Sequence, residues 1–98
     1  MNIEKIIHAK EFEVEKEYIA HEIDKNLTEK LDAYLRKYPE TAEARLEITL
    51  TRWKHETFDG KISLWANGET YRSNREEFKK LSDLIDHLFT HIKEQLSK

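Results

Sequence analysis

The sequence predicts an α+β domain of order β-α-β-β-β-α, two layers in which two helices pack on one face of a four-stranded sheet. Three observations predict it. Residues 44–51 alternate apolar and polar with a period of two, as a half-buried strand does. Asn67-Gly68 stands between two runs of the same kind, the strongest short signal for a hairpin turn. Two longer stretches, one from Lys16 to Tyr38 and one near the C-terminus, carry apolar residues at spacings of three and four, the stripe of an amphipathic helix.

In chain order, the first strand is expected within Ile3 to Val14, where Phe12 and Val14 alternate with Glu11, Glu13 and Glu15; a helical lead-in is the other reading. Ile19, Ile23, Leu27, Leu31, Tyr34, Leu35 and Tyr38 then form one helical stripe. Pro39 disfavours the α conformation at Tyr38 and ends it, and Arg36 and Lys37 suit the negative end of the helix dipole. Ala44, Leu46, Ile48 and Leu50 are the buried side of the next strand. Ile62, Leu64 and Ala66 repeat the pattern after Asp59-Gly60, and the chain returns as Glu69 to Ser73. A two-residue turn pairs Ala66 with Glu69, Trp65 with Thr70, Leu64 with Tyr71 and Ser63 with Arg72, which sends Leu64 and Tyr71 to the core. Lys61, Trp65, Arg72, Arg45, Thr49, Thr51 and Trp53 fall on the opposite face. Ser73 or Asn74 is placed to cap the last helix, with Glu76 and Glu77 in its first turn. Phe78, Leu81, Ile85, Leu88, Ile92 and Leu96 make its stripe, flanked by Leu84 and Phe89.

A length of 98 residues accommodates one domain, 1–98, and no linker or repeat divides it. Apolar and charged residues each make up 38%, so the core is small and a large buried cavity is not expected. Cysteine is absent, which excludes disulfides, thiolate metal sites and cysteine nucleophiles. The N-terminus lacks the pattern of a signal peptide and no apolar run is of membrane length, so the expected location is the cytoplasm, away from membranes. Net charge is −3, against a wholly basic surface. The distribution is uneven: residues 1–43 hold seven Lys/Arg against eleven Asp/Glu, and residues 44–98 hold ten against nine.

His87 and His91 stand four apart with Asp83 one turn earlier, too few ligands for a closed zinc site on a wet helix face. The acidic residues Glu11, Glu13, Glu15, Glu17, Glu22 and Asp24 lie off the apolar stripe, whereas a general acid needs burial to raise its pKa. With no phosphate loop and no nucleophile motif, no enzyme, cofactor, metal or small-molecule substrate is expected. What remains is a run of cations with aromatics interleaved: Arg52, Trp53, Lys54, His55, Lys61, Trp65, Arg72, Arg75, Lys79 and Lys80. Cations for phosphates and rings for stacking suit RNA. Glu47, Glu56, Asp59, Glu76 and Glu77 sit among them as competing partners.

Lys30-Leu31-Asp32-Ala33-Tyr34-Leu35, Ser63-Leu64-Trp65-Ala66-Asn67-Gly68-Glu69 and Asp83-Leu84-Ile85-Asp86-His87-Leu88, together with the element order, resemble the short ribosome-hibernation factors. That is the family of hibernation-promoting factor and ribosome-associated protein Y, and the resemblance spans nearly the whole chain. It implies binding to the small ribosomal subunit and its rRNA in the channel used by mRNA and tRNA, stopping translation in stressed or resting cells. The cations it leaves for RNA are Lys25, Lys30, Lys37, Arg52, Lys54, Arg72, Lys79 and Lys80, with Trp53 and Trp65 for stacking or partner contact. In the last helix, where the family continues with further Lys/Arg, this chain has His87, Thr90, His91, Ile92, Lys93 and Glu94, and each lost phosphate contact weakens binding. Two alternatives carry different partners. A double-stranded-RNA-binding domain shares the order α-β-β-β-α, and a protein-interaction or homodimer module would use the tryptophan-bearing sheet face.

Overall fold

Four strands form a single mixed sheet in the order β1-β2-β3-β4, in the computed structural model, which describes residues 2–53 and 56–98. The strands are β1 (Asn2–His8), β2 (Glu43–Arg52), β3 (Phe58–Ala66) and β4 (Glu69–Phe78). Helical segments α1 (Lys16–Asn26), a π-helical turn (Leu27–Leu31) and α2 (Asp32–Leu35) follow one another between β1 and β2, and α3 (Leu81–Leu96) closes the chain. β1 and β2 are parallel, an arrangement that needs a crossover, and the first helical run supplies it. The other pairs are antiparallel, and the hairpin register is the one the Asn67-Gly68 turn dictates.

The alternation in β2 and β3 does what its pattern predicts. Leu46, Ile48, Leu50, Ile62 and Leu64 are buried beneath Ile19, Ile23, Leu31, Leu84, Ile85, Leu88, Phe89 and Ile92. Leu84 and Phe89, expected at the flanks of the last helical stripe, lie at its buried centre. The π-helical turn has a physical reason in the spacing of the first stripe. Ile19, Ile23, Leu27, Leu31 and Leu35 are four apart throughout, and an α-helix rotates such a row by about 40° per step. A wider turn removes part of that drift, so that Leu31 and Leu35 still reach the core.

Three boundaries differ from expectation. The first strand is Asn2–His8, not the stretch around Phe12 and Val14. Phe12 is buried instead by a turn, its N–H donating to the Ala9 carbonyl at 2.9 Å, and Val14 is 94% exposed. Lys5 hides the strand from sequence: it faces the helices but carries a charge, held by Asp24 Oδ1 at 2.6 Å. The second correction concerns the last helix, which begins at Leu81 with Lys80 before it. Ser73 and Asn74 pair with Ile62 and Lys61 inside β4, and Glu76 and Glu77 belong to the strand. Glu77 adopts φ 60° at an irregularity in the β3–β4 ladder, where its N–H finds Asp59 Oδ1 at 3.0 Å. Thirdly, α2 stops at Leu35, and the residues to Tyr38 form turns. Among the described residues no helix is long and apolar enough to cross a membrane.

Candidate nucleic-acid interface

The sheet face away from the helices is set by strand alternation and register. Across it run three rows: Glu4, Arg45, Trp65 and Thr70; Ile6, Glu47, Ser63 and Arg72; His8, Thr49, Lys61 and Asn74. The rows show which charges are occupied. Glu47 accepts from His8 Nε2 at 2.7 Å, and Arg45 lies 3.9 Å from Glu4 with its guanidinium over the Trp65 ring at 5.9 Å. Lys61 and Arg72 are diagonal neighbours on this face, and among the described residues no carboxylate comes within 4 Å of either.

The structure sorts the remaining sequence candidates. Lys30, only 17% exposed at its side chain, donates to the Asp86 carbonyl at 3.0 Å and to the Asp86 carboxylate, stapling the π-helical turn to α3. Arg52 lies on the helix side at the end of β2. It forms two hydrogen bonds to the Glu15 carboxylate at 2.5 and 2.8 Å and stacks on Phe12 at 4.6 Å. Both cations are therefore already engaged by this chain. Lys25 is exposed on α1, and Lys37, also exposed, lies 5.7 Å from the Tyr34 ring, both remote from the open sheet face. Lys54 lies outside the described residues, as does His55. Lys79 and Lys80 link β4 to α3, exposed and without a carboxylate within 4 Å among the described residues. Lys61 gains weight from the structure, because its strand register puts it beside Arg72, a relation the hairpin turn encodes in the sequence.

The two tryptophans are in different states. Trp65 is half-buried in the sheet with Arg45 across its ring, whereas Trp53, at the end of β2, is 56% exposed. Its backbone is fixed by the N–H donating to the Thr57 carbonyl at 2.8 Å. A shallow cleft of about 480 Å³ beside it is lined by Arg52, Trp53, Glu56, Thr57, Phe58 and Lys79.

The histidines have structural partners. His91 Nδ1 lies 2.7 Å from the Ser73 hydroxyl, and the His87 ring packs on Phe78 with centroids 4.9 Å apart. Among the described residues no three His, Asp or Glu side chains converge as metal ligands would. Tyr71 donates to Glu69 Oε2 at 2.8 Å, and that bond, aided by burial and the Glu69 charge, pushes its pKa up to about 12.

Comparison with solved structures places this architecture. The chain superposes on the crystal structure of the Thermus thermophilus Protein Y N-terminal domain with a TM-score of 0.73, over 98% of this chain and 96% of that one. This chain has the fold of that domain. Sequence identity is 23%, so the likeness concerns the path of the backbone and the placing of elements, not individual side chains. No protein-family model matches the sequence, and no curated protein matches it either.

Proposed function

We propose that this protein is a non-enzymatic ribosome-associated factor that binds the RNA of the small subunit at the decoding region and blocks translation in stressed or resting cells. The observation that carries the reading is the Protein Y fold, shared over 98% of the chain. The sequence resemblance to the hibernation factors points the same way. A chemical basis lies in cations that have no carboxylate within 4 Å among the described residues, including Lys61 and Arg72 on the open sheet face and Lys79 and Lys80 at the head of α3. The two pairs are separated by Asp59, Glu76 and Glu77 on a chain of net charge −3, so docking depends on a few phosphate contacts and weakens with salt. Lys25 and Lys37 would extend the contact from the helical layer.

The duplex-RNA reading is the weaker one, because β1, paired along its whole length with β2, has no counterpart in an α-β-β-β-α domain. A cell-free translation assay tests the proposal. Purified protein lowers output in proportion to its ratio to ribosomes, and the double change Lys61→Glu with Arg72→Glu relieves the block. Undiminished translation at a several-fold excess of protein over ribosomes would refute it.

A further inference from the structure

We propose that Trp53 and Lys79 form a stacking site for one base of single-stranded RNA, at the end of the sheet where β2 turns into β3. The inference rests on the RNA-binding reading above and names a contact within it.

Its first support is the state of the ring. Trp53 is 56% exposed, and among the described residues no cation is seated on its ring, whereas Arg45 lies over that of Trp65. Rigidity is the second. The residue before it, Arg52, is clamped by Glu15 and stacked on Phe12, and the Trp53 N–H is bonded to the Thr57 carbonyl, so the strand end that leads to the ring is anchored. A platform already ordered loses little entropy when a base settles on it.

Charge identifies the occupant. Lys79 lines the same cleft and Lys80 follows it, with no carboxylate within 4 Å of either among the described residues. An ammonium beside an open ring matches the two parts of a nucleotide, a phosphate next to a flat base. Glu56 lies on the same cleft. Its carboxylate repels phosphate and accepts hydrogen bonds from base N–H groups, which orients a nucleotide with the base over the ring and the phosphate toward Lys79. Duplex RNA keeps its bases stacked on one another, so the site favours unpaired strands.

The test uses the whole chain and a fluorescein-labelled single-stranded RNA of about eight nucleotides, read by anisotropy at low salt. Trp53→Ala weakens binding roughly five- to a hundredfold, the range for losing one stacked base. Lys79→Ala weakens it and lowers the salt slope by about 0.7, one contact on a single strand. In a Trp65→Phe background, where Trp53 is the sole indole, unlabelled RNA quenches the emission. Unchanged affinity in Trp53→Ala overturns the site, and if Lys61→Glu with Arg72→Glu abolishes binding in the same series, the RNA reading survives without it. No binding of RNA or ribosomes by the unaltered protein defeats both. Self-association that depends on Trp53 and ignores RNA also overturns it, assigning the ring to a second copy of this chain.

Discussion

Gly60 of β3 lies close against Leu88 of α3, and the pair allows a prediction about packing that either variant alone would not give. A Cβ built on Gly60 would stand 2.9 Å from Leu88 Cδ1 and 3.2 Å from both Leu50 Cδ2 and Leu84 Cδ2. Gly60→Ala therefore overpacks a site whose neighbours are fully or nearly fully buried, at about 1–3 kcal/mol, offset by about 0.4–1 kcal/mol from the stiffer unfolded chain. The net is a loss of about 1 kcal/mol. Leu88→Ala empties a fully buried position and costs about 3 kcal/mol, within the range of 2–5 for such truncations. In the double variant the new methyl occupies space that Leu88 Cδ1 has left, so the combined loss falls short of the sum by about 0.5–1 kcal/mol. Urea unfolding followed by far-UV circular dichroism measures all four corners of the cycle. Losses that add to within about 0.3 kcal/mol would refute the contact that ties β3 to α3.

Other outcomes follow from single groups. In a spectrophotometric titration near 295 nm, one of the four tyrosines ionises at about 12, and Glu69→Gln brings that step down, since the hydrogen bond to Glu69 is the main cause. A pKa raised on folding means that Tyr71 contributes stability below the unfolded value of 10.0, lost as pH climbs toward 12; Tyr71→Phe removes this dependence in alkaline unfolding experiments. Lys30→Met changes stability by less than about 1 kcal/mol, because Asp86 is largely open to water, and leaves RNA affinity unaltered in a filter-binding assay. Arg52→Ala exposes the Phe12 and Phe58 rings it covers and frees Glu15; a loss of about 1–2 kcal/mol in thermal unfolding is expected from stacking and charge-assisted hydrogen bonds together.

How much of this was legible in the sequence depends on whether the signal was local. β2, β3 and the start of β4 could be read because one face is buried and the other wet, and Asn67-Gly68 pins their register. The four-residue spacing from Ile19 to Leu35 even contains the reason for the π-helical turn, though it reads at first as an ordinary helix. A first strand is expected within Ile3 to Val14, but its pattern reads at Phe12 and Val14, because in β1 the inward Lys5 is neutralised by a residue 19 positions later. The end of β4 escaped because Glu76 and Glu77 resemble a first helical turn, while the acceptor that holds Glu77 in the strand is Asp59 on another strand. The candidate site shows the same division. A sequence lists cations, but which of them are spent is decided by pairings such as Arg52 with Glu15 and Lys30 with Asp86, 37 and 56 residues apart. Register, by contrast, puts Lys61 and Arg72 on one face from the turn alone, and the observed pairing of β3 with β4 makes them diagonal neighbours.

The central claim is that a chain of net negative charge presents enough unpaired cations on a Protein Y fold to hold ribosomal RNA. Sedimentation of the purified protein with small ribosomal subunits through a sucrose gradient at low salt tests it most directly. Co-migration with the subunits, lost when Lys61, Arg72 and Lys79 are changed together to Glu, is the predicted result. Protein that stays at the top of the gradient, or that co-migrates equally well without those three cations, would contradict it.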